Sequence, residues 1–93
     1  MTCELLVPNL RNRLEVFLGR AHPSAGNLAR TPASESEECL YLIQGRMRVQ
    51  LAENTYELNA GDSIYFRGFE VREIRAVGRR VAEYLSIITP PIL

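Results

Sequence analysis

The chain has 93 residues, 46% hydrophobic and 24% charged, and its 11 basic and 11 acidic residues give a net charge of +0. That length holds one domain near the usual ~100–150-residue class and excludes a two-lobed enzyme or a cofactor domain joined to a catalytic one. Neutrality removes the basic excess that supplies most of the phosphate affinity of a nucleic-acid binder.

No apolar run approaches the ~18–20 residues needed to span a bilayer, and the start Met1-Thr2-Cys3-Glu4 lacks the basic residues of a signal peptide. A cytoplasmic chain with no membrane partner is expected, and its two cysteines, Cys3 and Cys39, stay reduced there. All 11 basic residues are arginine, which by itself carries no function. A domain this small has a limited core and commonly gains stability by forming a homodimer.

In chain order, the N-terminal third has two readings. Leu14, Val16 and Leu18 alternate as a strand would, while Leu10, Leu14, Phe17 and Leu18 also fit a helical stripe. His22 to Ser36 carries Pro23, Gly26 and Pro32 and reads as loop. Cys39 to Ile43 is an apolar run of strand length closed by Gln44-Gly45. Met47, Val49 and Leu51 alternate with Arg46, Arg48 and Gln50, the period of a strand with one buried and one wet face. Ala52 to Asn54 predicts a turn and Thr55 to Leu58 the returning strand. Asn59-Ala60-Gly61-Asp62 breaks the chain, with Gly61 free to take a positive φ. Ser63 to Phe66, Val71 to Val77 and Val81 to Thr89 are further strands, and Pro90-Pro91 ends the last. Short strands with turn signals every ~8–12 residues predict an all-β fold, a small antiparallel barrel or sandwich, as one domain over 1–93.

Two stretches carry a family resemblance. Glu38 is followed by six residues and then Gly45, and Gly61-Asp62-Ser63-Ile64-Tyr65-Phe66 forms a second stretch, with fifteen residues between Gly45 and Gly61. This pattern resembles the cupins, whose first motif runs His, one residue, His, three or four residues, Glu, six residues, Gly, and whose second begins with a Gly-Asp turn. The opening Cys3 to Pro8, the stretch Arg13 to Val16 and the ending Ile88 to Pro91 further resemble the C-terminal sensor domain of bacterial helix-turn-helix/cupin transcriptional regulators. The resemblance implies a double-stranded β-helix (jelly-roll-like) barrel and a strand at the ambiguous N-terminal segment. The first 30 residues are too few for a helix-turn-helix bundle, so an excised sensor or a stand-alone relative is expected, with no nucleic-acid binding by this chain itself.

Cupins that hold a transition metal use three His and one Glu, ligands suited to such ions. Carrying the motif over, the first two His slots fall on Pro32 and Ser34 and the third on Arg72, while the motif's Pro, Gly and Asn slots are Arg67, Phe69 and Ala76. Of the four ligands only Glu38 remains, and the single histidine, His22, lies in the loop. The resemblance therefore implies a barrel without metal or other cofactor and with no catalytic residue set.

The resemblance places Glu38 and Arg72 inside the barrel, where Arg72 would take the place of the metal's charge by pairing with Glu38 or gripping a ligand carboxylate. A slip of one residue would instead put Arg72 on a solvated face, and Val71-Arg72-Glu73-Ile74-Arg75 alternates imperfectly. Ser34, Met47, Tyr56, Phe66 and Ile74 complete the candidate ligand-binding interior, the apolar and aromatic members of which could equally fill the barrel. Cys39 should face away from the interior as a small hydrophobe among Glu35, Glu37 and Glu38. Arg79-Arg80 reads as a solvated turn. The favoured function is a small-molecule sensor or dimerisation module. The alternative is a metal-independent isomerase or lyase using Glu38 with Tyr41 or Tyr56, for which no acid–base partner is identifiable.

Overall fold

The computed structural model describes residues 2–5, 14–29 and 35–90. Among the described residues the chain forms β1 (Thr2–Leu5), β2 (Glu15–Ala21), a 3₁₀ turn (Pro23–Ala25), β3 (Glu37–Gln44), β4 (Arg46–Leu51), β5 (Asn54–Asn59), β6 (Ser63–Arg67), β7 (Val71–Val77) and β8 (Ala82–Thr89). The N-terminal ambiguity resolves as a strand, β2. One sheet runs β1-β2-β8-β3-β6 and the other β5-β4-β7, with every pairing antiparallel. The all-β expectation holds, with two sheets closing on a shared interior.

Register fixes which side chains face that interior, because residues directly opposite on paired strands share a face. In the five-stranded sheet Glu15, Ile88, Glu38 and Phe66 form one inward row, and Phe17, Ser86, Leu40 and Ile64 the next. Gly19, Tyr84 and Leu42 follow, then Ala21 and Ala82. The ring of Tyr84 lies over Gly19 and leaves no room there for a Cβ. In the three-stranded sheet Leu58, Met47 and Ala76 form one inward row, and Tyr56, Val49 and Ile74 the next. Leu40, Leu42, Met47, Val49, Phe66, Ile74 and Tyr84 are buried in the resulting core.

The apolar alternation of Leu14, Val16 and Leu18 belongs to the outer side of β2 and the residue just before it. The inner side carries Glu15, Phe17, Gly19 and Ala21. Leu14 is exposed, and Val16 and Leu18 are half-buried in rows with Ile87–Cys39 and Leu85–Tyr41. Cys39 faces outward, as expected, on this apolar outer surface.

The loop after β2 closes one edge. Asn27 Oδ1 accepts from the backbone N–H groups of Ile74 (3.0 Å) and Ala29 (2.9 Å), and its Nδ2 donates to the Arg72 carbonyl at 3.2 Å. Leu28 N–H donates to the Ile74 carbonyl at 2.6 Å. The free edge of β7 is thereby paired, which blocks edge-to-edge association there.

Three crossings between the sheets occur at one end of the barrel: β3 to β4 at Gly45, β5 to β6 at Gly61, and β7 to β8 at Gly78. The opposite end carries the start of β3, the end of β6 and the turn leading into β7, where Gly68 N–H donates to the Ser36 carbonyl at 2.8 Å. Six residues separate Glu38 from Gly45, and the seven steps between them at ~3.3 Å each set the two ends ~23 Å apart.

Candidate functional site

The polar groups of the interior gather at the Glu38 end. Ser86 Oγ donates to Glu38 Oε2 at 2.6 Å, a short charge-assisted contact. Glu38 is half-buried, while Glu15 and Ser86, on neighbouring strands, are 2% and 6% exposed. Glu15 and Glu38 occupy the same inward row, separated by Ile88 of β8. With strands ~4.8 Å apart their backbones stand ~10 Å from each other. Ser36, 7% exposed, adjoins the start of β3. Phe66 and Ile88 flank Glu38 in its row, and Phe17 and Leu40 flank Ser86 in the next. The arrangement is a pair of carboxylates and a hydroxyl set in apolar and aromatic walls. The site suits hydrogen-bond donors more than anions.

Of the residues expected in this interior, Glu38, Met47, Phe66 and Ile74 do face it, and the last three are packed into the core. Ser34 lies outside the described residues. Arg72 takes the outward alternative. Gln50 pairs with Glu73 and Leu51 with Val71, so Arg72 is the extra residue of a β-bulge. It is exposed, and its guanidinium donates to the Phe69 carbonyl at 2.8 Å rather than to Glu38. The bulge is the physical source of the imperfect alternation along Val71 to Arg75. Tyr56 shares the inward face of β5 yet is 42% exposed, because β5 is an edge strand. It lines an open groove of ≈ 550 Å³ with Leu51, Leu58, Ile64 and Tyr65 at the edge of β5. Tyr41 is on the outer face of β3 and cannot assist Glu38.

Glu15 and Ser86 escaped the sequence reading. Ser86 had a signal, as the polar member of the set Ala82, Tyr84, Ser86 and Ile88 that shares one face of β8. Glu15 had none, since only the β2–β8–β3 register places it beside Glu38.

These residues do not fit a transition metal. Among the described residues no three His, Cys, Asp or Glu side chains come together as a metal-binding group. His22 is exposed in the loop, where its Nδ1 accepts from the Ser24 backbone N–H at 3.2 Å.

On the outer face of the same strands, Tyr65 donates its hydroxyl hydrogen to Glu37 Oε1 at 2.5 Å. That bond, first, and then partial burial and the negative charge of Glu37 hold the phenol above its ordinary 10.0. The folded state therefore binds this proton more tightly than the unfolded chain. The contribution is fully present below pH 10 and disappears as pH rises through the raised value. A spectrophotometric titration should show a tyrosine ionising above pH 10 that is missing in Tyr65→Phe and returns toward the ordinary value in Glu37→Gln.

The Cupin_2 family model (Cupin domain) matches residues 22–88. Among curated proteins, none matches this sequence significantly. Solved structures share its fold. The Cupin_2 domain of an XRE family transcriptional regulator from Enterobacter cloacae superimposes with a TM-score of 0.84 at 18% identity, covering 97% of this chain and 96% of that one. An HTH_3 family transcriptional regulator from Vibrio cholerae gives 0.81 at 24% identity, covering 96% of this chain and 50% of that one, so this chain spans half the regulator's length. KdgF from a Halomonas species gives 0.79 at 13% identity, covering 96% and 77%. The Glu-to-Gly motif spacing, the antiparallel double-stranded β-helix and the family match over residues 22–88 agree, and the chain belongs to the Cupin_2 family of cupin domains.

Proposed function

We propose that this chain is a cytoplasmic small-molecule-binding cupin of the sensor type, the effector part of a transcriptional regulator or a stand-alone relative of one. The observation that carries this reading is the Ser86–Glu38 hydrogen bond inside the barrel, with Glu15 in the same inward row. Burying polar and charged groups costs several kcal/mol unless they are paired, and an apolar interior of the same shape would be the cheaper way to hold a fold together. Keeping two carboxylates and a hydroxyl there supports a recognition role, for a ligand that presents N–H or O–H donors, amines first. The regulator cupin domains of the same fold support the sensor setting. A second copy of this chain is the proposed partner. The apolar outer face carrying Val16, Leu18, Leu85 and Ile87 supports that assembly.

An enzymatic reading loses support because, of the acid–base partners considered for Glu38, Tyr41 lies on the outer face of β3 and Tyr56 is 42% exposed in an open groove at the edge of β5.

A thermal-shift screen of amino acids, polyamines, sugars, small carboxylates and divalent transition metals tests the proposal. A bound ligand at a hundredfold excess over its Kd stabilises by about 2.7 kcal/mol, which raises the melting temperature of a domain this size by ~10 °C or more. The expected result is such a shift with an amine-bearing class, abolished in Glu38→Gln while the circular dichroism spectrum is unchanged. A shift with transition metals, or an amine response undiminished in Glu38→Gln, would sink the reading.

A further inference from the structure

The end of the barrel opposite Glu38 holds a second feature, independent of the interior site. The three sheet crossings at Gly45, Ala60-Gly61 and Gly78 surround a cavity of ≈ 560 Å³. Its polar wall is Arg46, Arg79, Arg80 and Gln44, its apolar wall Ile43, Val77 and Ala60, and no acidic residue lines it.

Among the described residues Arg20 pairs with Glu83, Arg48 with Glu57 and Arg75 with Glu73, while Arg46, Arg79 and Arg80 have no ion pair, as Arg67 and Arg72 elsewhere also have none; what sets this end apart is that three such guanidinium groups share one cavity. Arg46 reaches over the third crossing, since a Cβ on Gly78 would come 2.9 Å from its Nη2. Its guanidinium is thus laid along the turn that carries Arg79 and Arg80. Among the described residues, no backbone–backbone hydrogen bond outside the strands involves Gly78, Arg79 or Arg80. In a chain of net charge +0, three guanidinium groups face one cavity with no carboxylate in its wall.

We propose that this cavity binds a phosphate-bearing small molecule, the phosphate held by Arg46, Arg79 and Arg80 and the carbon skeleton set against Ile43 and Val77. Guanidinium groups match phosphate oxygens in paired, charge-assisted hydrogen bonds. Backbone N–H groups of a turn containing a positive-φ residue, as Gly78 is at +84°, add donors to such anion sites. The volume lies within the ~300–1,000 Å³ range of small-molecule sites. The apolar wall favours a phosphate ester over inorganic phosphate alone.

The test is an amide NMR titration of the whole chain with pyrophosphate and with glucose 6-phosphate, and glucose as the uncharged control. Saturable shifts are expected at Gly45, Arg46, Gly78, Arg79 and Arg80 with both phosphates and none with glucose. Losing two guanidinium groups in Arg79→Gln/Arg80→Gln should weaken binding by about tenfold or more. The melting temperature should hold, since both side chains are exposed. Arg48→Gln/Arg75→Gln, which removes two paired arginines elsewhere, should leave affinity unchanged. Equal binding by the Arg79/Arg80 variant, a response that does not saturate, or shifts scattered over all arginines would overturn the proposal. Shifts at these amides with a poly-glutamate peptide or duplex DNA, but with neither phosphate compound, would overturn it too and make this end a polyanion contact.

Discussion

Gly45→Ala is expected to lower the melting temperature by roughly 10–25 °C, and Gly61→Ala by roughly 5–10 °C, taking ~5 °C per kcal/mol for a domain of this size. Both glycines have positive φ, +85° at Gly45 and +95° at Gly61. An alanine in either place meets the left-handed penalty of ~1–2 kcal/mol. Only Gly45 adds a steric cost. A Cβ there would lie 2.9 Å from both Ala82 Cα and Val81 O and 3.3 Å from Ala82 N, whereas nothing lies within 4 Å of the corresponding position at Gly61. The obstructing atoms are main chain at the start of β8, so no side-chain rotation relieves them. Forcing the contact adds about 1–3 kcal/mol. The cause is topological. The chain leaves the five-stranded sheet at Gln44 and enters the three-stranded sheet at Arg46, with a single residue making the crossing directly under β8. Thermal unfolding of the two variants side by side checks this, and equal losses would show that conformation alone, not close approach, demands glycine at position 45.

Gly45 also marks how far the sequence can be read. Its spacing from Glu38 and from Gly61 announced the fold, because sheet crossings need backbone conformations that few residues adopt and so leave a sparse, position-specific trace. Strand positions were legible for a similar local reason. The alternation of Met47, Val49 and Leu51 and the run Val71 to Val77 coincide with β4 and β7. Which face turns inward was less legible wherever both faces are apolar. In β2 the outer residues Leu14, Val16 and Leu18 look more like a core than Glu15, Phe17, Gly19 and Ala21 do, and the pairing with β8, some seventy residues away in sequence, decides between them. Arg72 shows the second limit. A bulge is one unpaired residue, and the partner strand, not the bulged one, shows where pairing skips from Gln50–Glu73 to Leu51–Val71. The acidic side chains that face this interior are Glu15 and Glu38, with its lone arginine candidate turned out. The three guanidinium groups that do gather lie at the other end, Arg46 at the start of β4 and Arg79 and Arg80 in a turn that reads locally as solvated.

Phe66→Ala is expected to destabilise the domain by about 3 kcal/mol, near the low end of the ~3–5 kcal/mol found for removing a buried aromatic ring. Phe66 is 1% exposed and belongs to the central cluster, and it stands directly opposite Glu38 on the edge strand β6. Truncation removes the ring's contacts and opens space beside the Glu38 carboxylate and its Ser86 partner. A cavity with polar groups in its wall takes up water, where a dry one would stay empty, and hydration of the carboxylate offsets part of the loss. The same truncation further along the barrel, as in Met47→Ala at 0% exposure, has only Leu58 and Ala76 in its row and no polar group to draw water in. Phe66→Leu keeps most of the volume and should cost about 1.5 kcal/mol or less. Urea unfolding with an unchanged m-value measures all three. A total stability of ~5–15 kcal/mol leaves Phe66→Ala folded but marginal at the lower limit. A loss below ~1 kcal/mol would mean that the ring is not part of the packed interior, and that the wall proposed for the ligand beside Glu38 is not there.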